Sequence, residues 1–293
     1  MNSIKHFASL LLVLLFFAST SAIAKKHGKT SRLTFAAYNF GSFGKLNPES
    51  QIALLARLGY KGIILKSETA KDFQSLNMYI EEAAKYKGFK VEAIFERYNF
   101  NDSTARRERW KNVVDKIAGS ETQLWIIFGK KEEGATDDFI EKKLREIVTY
   151  SSQKGVQVVL YPHSKCYIAS AEEAIPFIER INHPNLTVAV HLCHEIRDGN
   201  GSRMDQVFDR VKGRIGAVTL AGTDSIADFS TPQLMDSSTI KPLGQGNFNL
   251  DRFVKPLIKS GYKGSVGFIN FKIEDDPGTY LGTSMKIFKT LIH

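Results

Sequence analysis

Short runs of β-branched and aromatic residues alternate with amphipathic stretches along almost the whole chain. The apolar runs at 33–38, 62–66, 90–95, 123–128, 156–161, 187–191, 215–220 and 265–271 have the length and composition of buried strands. Between them, apolar positions recur at helical spacing over 48–58, 71–86, 104–118, 136–153, 171–181, 203–211, 251–259 and 277–291. Helix starts carry residues that cap free amide groups: Asn47 precedes Pro48, Ser103 precedes Thr104, and Ser170 with Glu173 reads as a capping box. Helix ends carry glycine at Gly59 and Gly261. Eight successive strand–helix units predict an α/β protein, a single (βα)8 TIM barrel over residues 31–293. A doubly wound open sheet shares the alternation, but both ends of the series are complete units and no Gly-x-Gly-x-x-Gly opens the first helix. The longest stretch without periodicity, 221–249, reads as a functional excursion and a candidate lid.

The first 24 residues stand apart from this pattern and read as an export signal. Lys5 supplies a positive start, 7–17 is an apolar run too short to span a bilayer, and Ala22-Ile23-Ala24 is a small-x-small cleavage site. The expectation is an exported chain, periplasmic or secreted, that begins at Lys25 and has no membrane attachment after cleavage. Hydrophobic residues at 43% and charged residues at 24% exclude disordered and fibrous classes. The net charge of +9 is spread over short pairs such as Lys25-Lys26, Arg106-Arg107 and Lys142-Lys143. No run of like charge long enough for a nucleic-acid arm occurs, so no nucleic-acid partner is expected, although a mild field favouring anions remains. With only Cys166 and Cys193 the chain is not a disulfide scaffold; one bridge and two buried thiols are both open.

A barrel of this kind places its chemistry at the carboxyl ends of the strands. Those positions offer Asn39, Lys66, Glu96, Arg97, Lys130, Tyr161-Pro162-His163, His191 through Glu195, Thr219, Asp224, Asn270 and Lys272. Three of the seven histidines, His163, His191 and His194, fall at the ends of two successive strands. Such a group could ligate a transition metal with Glu96 or Glu195, hydrogen-bond hydroxyls, serve as acid or base, or simply satisfy carbonyls at the rim.

The segments Leu58-Gly59-Tyr60-Lys61-Gly62, Gly261-Tyr262-Lys263-Gly264 and Pro242-Leu243-Gly244-Gln245-Gly246, in that setting, resemble the xylose-isomerase-like TIM-barrel superfamily over essentially all of 31–293. The resemblance implies sugar-phosphate isomerase or epimerase chemistry on a divalent ion held by carboxylates and histidine. Its four ligand positions fall here on Tyr161, His191, Thr219 and Ile269, while His163 and His194 match the accompanying histidines. Where the superfamily tends to carry Gly-Glu-Gly-x-x-Asp, this chain reads Gly244-Gln245-Gly246-Asn247-Phe248-Asn249. Tyrosine, threonine and isoleucine do not replace anionic ligands for a hard cation, and no matched acid/base pair is left.

The expected function is therefore an exported sugar isomerase/epimerase-like barrel that acts on or recognises a carbohydrate, with its metal-dependent chemistry altered or lost. The alternative is a non-catalytic saccharide-binding barrel; nucleic-acid repair, the third reading, lacks its acidic ligands. Glu96, His163 and His194 are the expected catalytic groups, and Lys66, Tyr161, His191 and Asn270 the expected ligand contacts. No cofactor is expected; the alternative is a divalent metal on His163, His191 and His194. The partner is a small carbohydrate or related polar molecule.

Overall fold

In the computed structural model, which describes residues 33–132 and 135–293, eight parallel strands close on one another in chain order. They are β1 (Thr34–Tyr38), β2 (Gly62–Lys66), β3 (Lys90–Tyr98), β4 (Gln123–Phe128), β5 (Val158–Leu160), β6 (Leu186–His191), β7 (Ile215–Leu220) and β8 (Ser265–Phe268). Register runs from Thr34 opposite Ser265 to Ala37 opposite Phe268 where β8 closes on β1. Around this barrel lie α1 (Pro48–Leu58), α2 (Ala70–Ala84), α3 (Thr104–Arg107), α4 (Arg109–Ile117), α5 (Asp137–Gln153), α6 (Ala171–Ile181), α7 (Leu192–Arg197), α8 (Met204–Val211), α9 (Pro232–Thr239), α10 (Asp251–Ser260) and α11 (Pro277–Leu291). The proposed export signal lies outside the described residues. Among those described, no helix is long and apolar enough to cross a membrane.

The strands read as near-continuous apolar runs because both of their faces are covered. Outward side chains meet the helices: Phe35 stacks on Phe288 of α11 at 4.1 Å between ring centres and on Tyr60 at 5.0 Å. Inward side chains fill the barrel, with Trp125 against Tyr161 at 5.4 Å and Tyr38 edge-on to Trp125 at 6.1 Å. Gly267 makes this filling possible. A Cβ there would lie 2.7 Å from Ile64 Cδ1 and 3.0 Å from Thr219 Cγ2, with the Tyr38 ring at 3.2 Å.

Several differences from the sequence expectation lie at the carboxyl ends, where strands turn into loops, and β5 is shorter at both ends, Val158–Leu160 in place of 156–161. β3 runs three residues longer, to Tyr98, while β8 ends at Phe268 instead of 271. The helix expected over 104–118 breaks at Glu108, whose φ of −93° and ψ of 2° close α3 and open α4. The excursion 221–249 is not structureless: it contains α9 and is pinned by an antiparallel bridge between Gly222 and Lys241 and by Lys241 on Asp224 at 2.7 Å.

Candidate functional site

The carboxyl end of the barrel holds a cavity of about 320 Å³. One wall is aromatic and apolar, from Tyr38, Phe40, Phe95, Ile269 and Phe271; facing it are His163, His191, Cys193 and His194. Local sequence explains the second wall. β6 ends at His191, which serves as the N-cap of α7, so His194 falls on the first turn of that helix. After β5 the chain turns sharply, with the His163 amide donating to Ile168 O at 2.9 Å and the Cys166 amide to His163 O at 2.9 Å. The two segments bring the imidazoles together: His163 to His194 is 4.0 Å and His194 to His191 is 4.1 Å between ring centres. Beneath them the hydroxyls of Tyr161 and Tyr38 share a hydrogen bond of 2.9 Å, and Tyr161 meets His191 edge-on at 5.5 Å.

Burial sets the protonation of this wall. It lowers His163 to about 3, with the positive charge of Arg97 adding to the effect. His191 and His194 are also pushed well below the ordinary range, first by burial and then by His163 and Arg197, with His191 adding to the effect on His194. All three rings are therefore neutral near pH 7. His163 Nδ1 lies 2.9 Å from the Ser164 carbonyl, which only accepts, so Nδ1 carries the proton and Nε2 is an acceptor. His191 Nδ1 is buried without a hydrogen-bond partner, an arrangement that costs about 1–3 kcal/mol unless something else satisfies it. Burial lifts the Cys193 thiol to about 12, and its sulfur lies 3.9 Å from His191 Nε2 and 3.7 Å from His194 Nδ1. Cys166 and Cys193 are both free thiols.

Three residues expected in the site lie elsewhere, and strand parity accounts for two of them. On β3, Phe95 and Arg97 line the cavity, so Glu96 points to the other face. There its carboxylate, 2% exposed, accepts hydrogen bonds from Ser67 Oγ, Arg106 Nη1 and Arg109 Nη2, the last at 3.3 Å. Glu96 is thus a clamp under α3 and α4 and does not meet the histidines. After β8, Ile269 and Phe271 face the cavity, so Asn270 turns outward, where its Nδ2 donates to Phe40 O at 3.3 Å and Tyr280 Oη at 3.1 Å. Lys66 sits 3.8 Å from Asp72 in a separate groove shared with Asn39, Asn47 and Thr69. The other four, Tyr161, His163, His191 and His194, all line the cavity. Thr219, 0% exposed, is packed on the inner face of β7 beside Tyr38.

Of the charged groups that border the cavity, sequence reasoning placed Arg97 at its strand end without giving it a role and missed Glu68, Arg197 and Asp236. A role for Arg97 was within reach, because the inward parity of Phe95 implies it. Arg197 and Asp236 were not. They are 39 positions apart and meet at 2.9 Å only because α9 folds back onto α7.

The atoms that could hold a metal are His191, Cys193 and His194, whose ligand atoms all lie within 4.8 Å of one another. The sequence expectation had named His163 in place of Cys193. Neutral imidazoles and a thiol fit a borderline ion such as zinc and not magnesium or manganese, which take oxygen ligands.

Comparison with known proteins agrees with the architecture. No curated protein sequence matches the chain. Among solved structures it is similar to the IolI protein with a bound zinc atom, at 17% identity and a TM-score of 0.70, covering 89% of this chain and 98% of that one. It is also similar to the probable 3-DHS dehydratase AsbF of Bacillus anthracis, at 14% identity and a TM-score of 0.70, covering 87% and 98%. A D-allulose 3-epimerase from Methylomonas sp. matches at 14% identity and a TM-score of 0.68, covering 89% and 98%. The family model described as xylose isomerase-like TIM barrel matches residues 52–291. With eight parallel strands, their interleaved helices and this match over most of its length, the chain belongs to the xylose isomerase-like TIM barrel family.

Proposed function

We propose that the barrel mouth recognises a small carbohydrate or closely related ring compound in an exported protein, without the metal-and-carboxylate proton shuttle that the family resemblance implies. The observation that carries this reading is the two-walled cavity, aromatic on one side and imidazole on the other. Its volume of about 320 Å³ is at the lower end of small-molecule pockets, which run from about 300 to 1,000 Å³. Aromatic rings pack the C–H face of a sugar, and neutral imidazoles offer one donor and one acceptor each, as hydroxyls require. Asp236 at the rim is a poor candidate for proton abstraction from carbon, since it is bound by Arg197 and Lys272 at 2.9 Å each. D-Allulose in a similar epimerase is consistent with a ligand of this class.

Calorimetric titration of the purified mature protein with D-xylose, D-glucose and D-allulose tests the reading. Saturable binding is expected, lost in His163→Ala and His194→Ala while circular dichroism shows the barrel retained. Absence of binding to every sugar, or variants that bind as the parent does, overturns it.

A second reading is favoured by the three ligand atoms within 4.8 Å and by the unpartnered His191 Nδ1. His191, Cys193 and His194 would hold a zinc-class ion, which would supply Lewis acidity to a ligand oxygen. His163 Nε2, with its tautomer set by the Ser164 carbonyl, would then orient that ligand by accepting a hydroxyl proton in a hydrogen bond.

A further inference from the structure

The two arginines at the mouth are in different electrostatic states. Arg197, 5% exposed, has its charge and donors engaged: Nε and Nη2 bond Thr239 Oγ1 at 2.9 and 2.7 Å, and Nη2 bonds Asp236 at 2.9 Å. Arg97 has no such match. Its Nη1 donates to Cys166 Sγ at 3.1 Å, and burial keeps that thiol protonated, so the contact offsets no charge. Its Nε is 3.6 Å from Glu68 Oε1, beyond hydrogen-bond distance, and the Glu68 side chain is 36% exposed and therefore screened by water. Among the described residues Nη2 makes no hydrogen bond, although Arg97 lines the cavity. Asp236, the other carboxylate of the rim, is shared by Arg197 and Lys272 and has nothing to spare for Arg97.

We propose that Arg97 is the anchor for a carboxylate on the ligand, so that the mouth selects ring compounds bearing a carboxylate, such as sugar acids, over neutral sugars. This rests on the reading of the mouth as a carbohydrate site and names its substrate class. A planar guanidinium with Nη2 free and Nε outside hydrogen-bond distance of its neighbour matches a carboxylate in plane and charge. Phe40 and Phe95, 5.8 Å apart between ring centres, supply the apolar surface on which the attached ring lies. One cation whose own counter-charge is loosely held and water-exposed fits a single carboxylate better than a phosphate dianion, which recruits several donors.

The experiment compares D-glucuronate, D-glucose and benzoate by calorimetry on the parent, Arg97→Gln and Arg97→Lys. In the parent, glucuronate is expected to bind at least about tenfold more tightly than glucose, the increment of a charge-assisted hydrogen bond. The preference should weaken as salt is raised. In Arg97→Gln the ratio should collapse towards one, and Arg97→Lys should recover part of it, which a merely structural arginine would not show. Equal affinities for glucuronate and glucose in the parent overturn the anchor and leave the carbohydrate site standing. Binding of benzoate and glucuronate that depends on Arg97, without binding of glucose, upholds the anchor and refutes the neutral-sugar reading. Failure of both carboxylates to bind overturns the anchor whatever glucose does.

Discussion

Replacing Glu96 by glutamine separates the two roles that this residue can be given. In the structure its carboxylate is buried behind β3 and neutralises Arg106 and Arg109 while accepting from Ser67. Glutamine keeps the shape and removes the charge, leaving two guanidinium groups, 20% and 13% exposed, with no anion between them. Breaking a buried pair by removing one partner costs about 3–5 kcal/mol; because water still reaches both arginines, about 2–4 kcal/mol is expected here. For a barrel of this size that corresponds to a fall in Tm of roughly 5–10 °C. Urea unfolding followed by far-ultraviolet circular dichroism should show a lower midpoint at unchanged slope. In conditions where the variant is folded, sugar affinity should equal that of the parent. Unaltered stability together with lost binding would place Glu96 in the mouth after all and would refute the parity argument for β3.

Three further outcomes are expected. Stability measured in EDTA should fall as pH drops from 7.5 to 5: the histidines have depressed folded values, so the unfolded chain takes up protons first, below about 6.5, at about 2 kcal/mol for each ring at pH 5. Glu195, raised to about 7 by burial, opposes this, since its contribution is present below about 4.5 and lost as pH rises through 7; Glu195→Gln should therefore steepen the acid loss, and a flat profile would contradict neutral buried rings. Cobalt(II) added to the metal-free protein should give a thiolate charge-transfer band that Cys193→Ser abolishes; a band that survives the substitution means another ligand set. Mass spectrometry of exported material should find Lys25 as the first residue, and an intact Met1 there would refute the signal peptide.

The barrel was legible because each unit announces itself by an apolar run followed by a helical pattern, and several helices add a cap, as at Asn47, Ser103 and Ser170. The site was legible in part, and the boundary is physical. His163, His191 and His194 were readable because they cluster at the ends of two successive strands and the strands deliver them to one place. Glu96 and Asn270 were each given a role one position away from the residue that lines the cavity: a strand sends neighbours to opposite faces, so Arg97, named without a role, and Ile269, expected at a ligand position, face inward in their place. Arg197 and Asp236 were invisible for a different reason. Their meeting depends on a helix inside 221–249, a stretch with no periodicity long enough to reveal it.

Asp236 also decides what kind of boundary the 221–249 excursion makes. It ties α9 to Arg197 on α7 and to Lys272 beyond β8, and Thr239 adds two hydrogen bonds from Arg197. A segment fastened at both sides of the mouth behaves as a fixed wall. On the other side, Arg97 reaches the loop after β5 through Cys166 at 3.1 Å, and the Phe40 carbonyl accepts from Asn270 beyond β8 at 3.3 Å. A molecule entering the cavity therefore passes a wall that does not swing aside, and it meets the partly exposed Arg97 guanidinium before the buried rings of His191 and His194.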